Sequence, residues 1–274
     1  MIDRKTLELA TFSLFLIIII SIYATSAFLR NSKWSTDLTL WEDAKLKSPS
    51  KSRPYTYTGI AYAKDDKFKE AYSNLSQAII LNPNDIEARY NLSILYMELK
   101  RFDLAEVELK RAVESRPELI DSYMALTDLY AKTNRVRDAA SILSIAKKRW
   151  PGNIVIGLKL ATANARSGRL KEAKEGFEWV LERSPMETEA LNGLGNIYMI
   201  EREPASALSY YKRSINIRPD EPEAIYNAAL VSEELGRDKE AATFYALFIK
   251  AARSDNESYK DAITRAKEKI QYLK

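Results

Sequence analysis

The side chains available for chemistry in this sequence are carboxylates, amines, amides and hydroxyls, because its 274 residues include no His and no Cys. Imidazole bases, Ser/His/Asp or Cys/His nucleophile pairs, thiolate zinc sites and disulfides are therefore excluded. Paired acids occur at Asp65-Asp66 and at Asp220-Glu221. Both pairs fall in predicted turns, where carboxylates favour the starts of helices. The sequence predicts no catalytic residue, no metal site and no cofactor.

Composition and charge narrow the class of protein further. The chain is 46% hydrophobic and carries 42 Lys and Arg against 38 Asp and Glu, a net charge of +4. That hydrophobic fraction is sufficient for a sizeable core, so disorder of the whole chain is excluded. The charge is too balanced to indicate binding to nucleic acid.

The elements that position these side chains repeat with a period of 34 residues. Two series of six residues share this spacing without an insertion, namely Pro49, Pro83, Pro117, Pro151, Pro185 and Pro219, and Ala71, Ala105, Ala139, Ala173, Ala207 and Ala241. Large residues hold a third phase at Leu75, Leu109, Leu143, Phe177, Tyr211 and Tyr245. Each unit therefore places large and small apolar residues at fixed positions, as structural repeats do.

The local period within a unit is helical and predicts two amphipathic helices of about 13 residues each. Asn134, Gly168 and Gly236 fall between the two helices of their units, and these residue types tolerate the left-handed conformation that ends a helix. Proline closes the second helix, because it lacks the N–H that would continue the hydrogen-bond ladder.

This pattern resembles the tetratricopeptide repeat (TPR) family, whose unit is a 34-residue helix-turn-helix. The unit with the best match contains Tyr55, Gly59, Tyr62, Ala71, Leu75, Ala78 and Pro83. The resemblance implies an all-α fold, a right-handed superhelical solenoid of six helix-turn-helix units with capping helices. The composition of the N-terminal segment, described below, adds one transmembrane helix before it.

The repeat phase and composition also divide the chain. The predicted segments are a transmembrane anchor at 1–30, a linker with a half-repeat helix at 31–51, six TPR units spanning 52–255 and a C-terminal capping helix at 256–274.

The resemblance further implies that the first helix of each unit faces a concave surface on which extended peptides or partner helices bind. By that phase the candidate partner-binding residues are Tyr57, Tyr90, Asn91, Ile94, Asp128, Lys132, Arg166, Asn192, Asn196, Tyr226 and Asn227. An amide donates and accepts at once, so Asn91 and Asn227 could contact a peptide backbone of any sequence. The alternatives are that each Asn meets only water and that each Tyr belongs to the core. A carboxylate-binding clamp is not expected, because Thr56, Tyr90 and Met124 occupy places where it needs the charges of Lys or Arg.

The N-terminal segment has a different composition. No charged residue occurs from Leu9 to Leu29, and 21 helical residues span about 31 Å, the thickness of a bilayer core. This predicts a single-pass membrane anchor; the alternative is a cleaved signal peptide, since small residues follow the apolar run. The nearby Lys and Arg favour a cytoplasmic C-terminal side. A signal anchor favours the opposite orientation, with the repeats outside the cytoplasm in a periplasm or lumen.

A second resemblance covers residues 10–62. The segments Asn31-Ser32-Lys33-Trp34 and Lys47-Ser48-Pro49 are similar to the junction between the last membrane helix and the TPRs of multi-pass protein O-mannosyltransferases and related membrane glycosyltransferases. Together these patterns favour a membrane-anchored, non-catalytic scaffold for a protein or peptide partner. One alternative is the accessory or substrate-presenting part of a membrane glycosyltransferase system or assembly complex, and the other is a self-associating structural array.

Overall fold

A computed structural model describes residues 4–252 and 257–273, and every regular element within those ranges is helical. The α-helices are α1 Arg4–Lys33, α2 Asp37–Lys47, α3 Ser52–Lys64, α4 Phe68–Leu81, α5 Ile86–Glu98, α6 Phe102–Ser115, α7 Ile120–Lys132, α8 Val136–Arg149, α9 Ile154–Arg166, α10 Leu170–Arg183, α11 Thr188–Ile200, α12 Pro204–Ile217, α13 Pro222–Glu234, α14 Asp238–Ala251 and α15 Lys260–Tyr272. A short 3-10 turn, Glu257–Tyr259, precedes α15.

The chain divides into two compact units, Met1–Ala125 and Leu126–Lys274, with the boundary inside α7. Unit 1 contains the helix pairs α3/α4 and α5/α6, and unit 2 contains the pairs α9/α10, α11/α12 and α13/α14. The expected alternation of first and second helices is confirmed in both units.

The turn inside each helix pair contains one residue with left-handed backbone conformation. These residues are spaced by 34 and are Asp66, Lys100, Asn134, Gly168, Arg202 and Gly236. The residue that follows each of them donates its N–H to a carbonyl five residues earlier, as Arg169 N–H does to Asn164 O at 2.9 Å. The predicted turn residues Asn134, Gly168 and Gly236 are confirmed, and the same turn forms where the residue type gives no signal.

The residues of the Ala and large-residue series form the core. Each Ala of the 34-residue series is at most 4% exposed, and each large residue of its partner series is at most 2% exposed. A small side chain on one helix and a large one a turn away allow the two helices to approach closely and still fill the space between them.

Gly59 shows how closely the helices of a pair approach. A Cβ atom on Gly59 would lie 2.7 Å from Leu75 Cγ, whereas a Cβ on Gly152, in the turn after α8, would meet no atom within 4 Å. Gly59→Leu is therefore expected to lower the free energy of unfolding by about 1 to 3 kcal/mol through overpacking. Thermal unfolding measured beside Gly152→Leu tests this, and equal losses in the two variants would contradict it.

The N-terminal helix α1 contains a stretch of 18 residues, Phe12–Leu29, with mean hydropathy 2.3 and no part buried against the rest of the chain. Its length and composition suffice to cross a membrane. Helix α2 begins with a capping box at Thr36 and Thr39, and its Trp41 stacks on Tyr57 of α3 with ring centroids 4.4 Å apart. Residues 1–3 of the predicted anchor lie outside the described residues.

At the C-terminal end of unit 2, α15 packs on α14. Ile263 and Ala266 are buried in the same core cluster as Tyr245 and Phe248. Lys269 forms an ion pair with Glu233, whose carboxylate also accepts a hydrogen bond from the Tyr245 hydroxyl at 2.8 Å. Within the predicted capping segment, residues 256 and 274 lie outside the described residues.

Candidate partner-binding surface

Polar contacts link the first helices of successive pairs in unit 2. Lys159 of α9 lies 3.4 Å from Asp128 of α7. The Thr162 hydroxyl of α9 donates to Glu189 of α11 at 3.0 Å. The same face continues to α13, where Asn227 Nδ2 donates to Asn196 Oδ1 of α11 at 3.3 Å. We call this side of α7, α9, α11 and α13 the first-helix face of unit 2.

Asn196 is the best-supported amide on this face. Its Oδ1 accepts from the buried Tyr211 hydroxyl at 2.6 Å as well as from Asn227. Burial and the nearby Glu223 carboxylate raise the pKa of Tyr211 well above its ordinary value, so this hydroxyl remains a donor at physiological pH. Both bonds use the carbonyl oxygen of this exposed side chain, so its NH₂ group is the part left for a peptide carbonyl.

A cavity of about 640 Å³ opens on the first-helix face of unit 2. Three of the predicted residues line it, namely Arg166, Asn192 and Asn196. Asn192 is 7% exposed, and its Oδ1 has no hydrogen-bond partner. A buried acceptor without a donor is costly, and Asn192 therefore adds an unsatisfied polar residue to the lining of the cavity.

Two of the predicted residues in unit 2 are exposed without lying in that cavity. Asp128, which pairs with Lys159, lines a smaller cavity of about 150 Å³ together with Arg166. Lys132 is exposed in the last turn of α7.

Tyr226 lies at the edge of the core. Its ring contacts Phe248 at a centroid distance of 4.8 Å and Tyr245 at 6.0 Å. Its packing corresponds to the core alternative for this tyrosine more closely than to an aromatic anchor for a ligand.

In unit 1 the predicted residues lie on α3 and α5. The Tyr57 hydroxyl donates to Glu87 at 2.9 Å, and this contact links the two helices. Asn91 Nδ2 donates to the Glu87 carbonyl of its own helix at 2.7 Å, so its Oδ1 and its second N–H are left for a ligand. Ile94 and Tyr90 are half-buried on the same helix.

Two carboxylates that were not predicted as partner-binding residues line the large cavity at the starts of α11 and α13. Glu187 and Glu221 occupy the N-cap positions of these helices, and neither makes a side-chain capping hydrogen bond. The equivalent repeat positions hold Asp85 and Asn153, which do cap their helices. At this phase of the repeat the residues are Lys51, Asp85, Leu119, Asn153, Glu187 and Glu221, so the signal in the sequence was Glu at two successive positions.

Family comparison agrees with this geometry. Tetratricopeptide-repeat family models match residues 62–132 and 158–222. The chain carries tetratricopeptide repeats. Its fold is an all-helical TPR solenoid, and solved TPR structures resemble it, including YrrB, described as a TPR protein with an unusual peptide-binding site, and PilF of Pseudomonas aeruginosa. YrrB superposes with a TM-score of 0.60 and 20% identity, covering 68% of this chain and 96% of YrrB. For PilF the TM-score is 0.58 and the identity 17%, covering 78% of this chain and 97% of PilF.

A curated relative also matches most of the TPR chain. Protein O-mannosyl-transferase TMTC3 of Homo sapiens is 23% identical over 239 residues, which is 81% of this chain and 22% of the relative. The Mus musculus TMTC3 protein matches in the same way, over 79% of this chain. The chain thus spans about a fifth of the length of these relatives.

Unit 2 of the TPR chain also buries one lysine ammonium group against an aromatic ring. Lys147 Nζ lies 2.8 Å from the centroid of the Trp179 ring and has no hydrogen-bond partner. Arg183 packs on the same ring at 4.2 Å. Burial lowers the pKa of Lys147 to about 8, and the positive charge of Arg183 adds to the effect. Trp179 also fills the space over Gly157, where a Cβ atom would lie 2.5 Å from the ring.

This lysine makes stability depend on pH. Its pKa is about 8 when folded and 10.5 in the reference state, so between those values the unfolded chain binds more protons and stability rises with pH. Below pH 8 the cost of holding the charged amine is fully present. We expect the melting temperature of the wild type to rise, relative to that of Lys147→Met, between pH 7 and pH 9.5. A difference that stays constant across this interval would contradict the assignment.

Proposed function

We propose that the chain is a membrane-anchored, non-catalytic TPR adaptor that binds a protein or peptide partner on the inward face of its first helices. The proposal rests mainly on the cavity on the first-helix face of unit 2. Its lining includes the three predicted residues Arg166, Asn192 and Asn196, and both Asn192 and Glu221 in that lining have a buried oxygen without a hydrogen-bond donor. The peptide-binding site named for the structural neighbour YrrB is consistent with it.

The geometry favours an extended peptide as the occupant of this face. Asn196 offers an NH₂ donor and Asn192 an Oδ1 acceptor on one helix, one turn apart. An extended chain presents carbonyls and N–H groups that pair with such amides whatever its side chains are. In unit 1, Asn91 occupies the same phase of the repeat as Asn227 in unit 2, so both units offer amides from the corresponding place.

Site-specific photocrosslinking tests the proposal. The photoreactive residue p-benzoylphenylalanine replaces Asn91 or Asn196 on first helices, and Lys110 or Glu175 on the exposed side of second helices. The full-length chain is irradiated in its own membrane, and crosslinked segments are identified by mass spectrometry. We expect a partner segment to crosslink at a first-helix position and not at the matched second-helix position. Equal crosslinking at all four positions would contradict the proposal.

A second candidate function follows from the similarity to TMTC3, which extends over 81% of this chain. In that reading the array presents acceptor proteins to a membrane glycosyltransferase, and the partner is a substrate or the transferase itself. The same crosslinking experiment separates the two candidates. A multi-pass glycosyltransferase crosslinked to the array would favour this second function.

The proposed orientation places the repeats outside the cytoplasm, with α1 as a signal anchor. Protease added to intact cells or spheroplasts is therefore expected to digest the array. Protection of the array until the membrane is permeabilised would place it in the cytoplasm, as the count of Lys and Arg around α1 favours.

A further inference from the structure

The large cavity of unit 2 combines an apolar wall with an acidic end. Leu170, Phe177 and Ile197 contribute the apolar wall. The starts of α11 and α13 bring Glu187 and Glu221 into the same lining. Such a cavity suits a side chain that has an apolar stem and a polar head.

Both unsatisfied polar atoms in this cavity are hydrogen-bond acceptors. Asn192 Oδ1 and Glu221 Oε2 are buried and accept no hydrogen bond. The Arg218 guanidinium lies 3.7 Å from Glu221 Oε2, which satisfies its charge in part but is too long for a hydrogen bond. A group that satisfies these atoms must therefore be a donor, and an anion would add further acceptors to the same space.

The charge of the residues that line the cavity also favours a cationic donor as its ligand. Four carboxylates line it, against the two guanidinium groups of Arg166 and Arg218. Two of the carboxylates, those of Glu187 and Glu221, stand at N-cap positions without capping their helices, whereas Asp85 and Asn153 cap at the equivalent repeat positions. Capping therefore does not account for the two glutamates, and Arg218 neutralises the charge of Glu221 only in part.

From these contacts we infer that the cavity binds the side chain of an arginine in the partner segment. This rests on the proposed function, which it makes more specific. A guanidinium has five donors in a planar fork, so it can donate to more than one acceptor of the cavity lining at once. Its alkyl stem lies along the apolar wall of Leu170 and Phe177. The lysine ammonium is a compact point charge, which satisfies two separated acceptors less well.

Synthetic peptides test this specificity on the full-length chain in detergent. The probe is an acetylated and amidated nine-residue peptide of alanine and serine with a central arginine. Three control peptides contain citrulline, lysine or glutamate at the centre. Citrulline keeps the shape of arginine without the charge. Fluorescence anisotropy is expected to show at least about tenfold tighter binding of the arginine peptide than of the citrulline peptide, as for charge-assisted hydrogen bonds. The glutamate peptide is expected to bind most weakly.

Variants of the cavity locate the effect. Glu221→Gln and Asn192→Leu are each expected to reduce the preference for arginine over citrulline to about threefold or less. Glu175→Gln, on the exposed side of α10, is the matched control and should leave the preference unchanged. Melting curves establish that each variant is folded.

Three outcomes would overturn the inference. These are equal affinity for the arginine and citrulline peptides, a preference that both cavity variants retain, and no binding of any probe at millimolar concentration. The proposed function is judged separately by crosslinking. A segment that crosslinks at position 196 but lacks a basic residue would refute the arginine pocket while leaving the adaptor function standing. Failure to crosslink at the first-helix positions would refute both.

Discussion

Tyr211→Ala is expected to lower the free energy of unfolding by about 3 to 5 kcal/mol, the usual cost of deleting a fully buried aromatic ring. Tyr211 is 1% exposed. Its ring packs directly over Gly195, where a Cβ atom would come within 2.4 Å of it. Truncation therefore leaves a cavity that the glycine cannot fill. It also removes the hydroxyl that donates to Asn196.

Denaturant unfolding of the full-length chain, followed by circular dichroism, measures this loss. Tyr272→Ala is the matched control, because that ring is 84% exposed and its removal should change stability by less than about 0.5 kcal/mol. Hydrogen exchange should locate the loosening in α11, α12 and α13, since repeats transmit stability mainly to their neighbours. Equal losses in the two variants, or uniform loosening throughout unit 2, would contradict the packing described.

Tyr211→Phe isolates the role of the hydroxyl. It keeps the ring and removes only the donor to Asn196, so it should cost about 1 kcal/mol. The contrast between Ala and Phe at one position separates core packing from the hydrogen bond that supports the Asn196 amide.

The helical fold was predictable because the same pattern of small and large apolar residues recurs six times along the chain. The Ala and large-residue series identify the core positions without reference to any contact, and every member of both series is buried. The turns show where prediction from residue type ends. Asn and Gly at positions 134, 168 and 236 predict a left-handed backbone conformation from residue type. Lys100 and Arg202 adopt the same conformation because they occupy the same position of the repeat.

The candidate site was less predictable, since it depends on contacts between helices. The sequence placed Asn192 and Asn196 on the first-helix face, but it carried no sign that Tyr211, a core residue by phase, would donate to Asn196. Helical spacing likewise did not decide whether Tyr226 is an aromatic anchor for a ligand or a core residue. In the structure its ring packs on that of Phe248. Glu221 was interpreted with its acidic neighbour Asp220 as a turn residue at a helix start, and it does lie there, but its place in the lining of the cavity was not foreseen.

Binding of the partner is expected to depend on the first-helix amides far more than on exposed second-helix charges. Asn91 and Asn227 occupy the same phase of the repeat in different units, and Asn227 also supports Asn196 through a hydrogen bond. Losing an amide from a desolvated peptide contact costs about 1 to 3 kcal/mol, or about five- to 150-fold in affinity. Lys110 pairs only with Glu106 on its own helix, at 2.8 Å, so Lys110→Ala should cost little.

The most direct test of the adaptor function is the affinity of the crosslinked partner segment for the full-length chain, measured by isothermal titration calorimetry. The wild type is compared with Asn91→Ala, Asn227→Ala and Lys110→Ala, each shown by its melting curve to be folded. The proposed surface predicts that at least one Asn variant loses affinity by about fivefold or more while Lys110→Ala stays within about twofold of the wild type. Equal affinities for all three variants would show that the partner binds elsewhere, and the two amides would then be solvated helix residues.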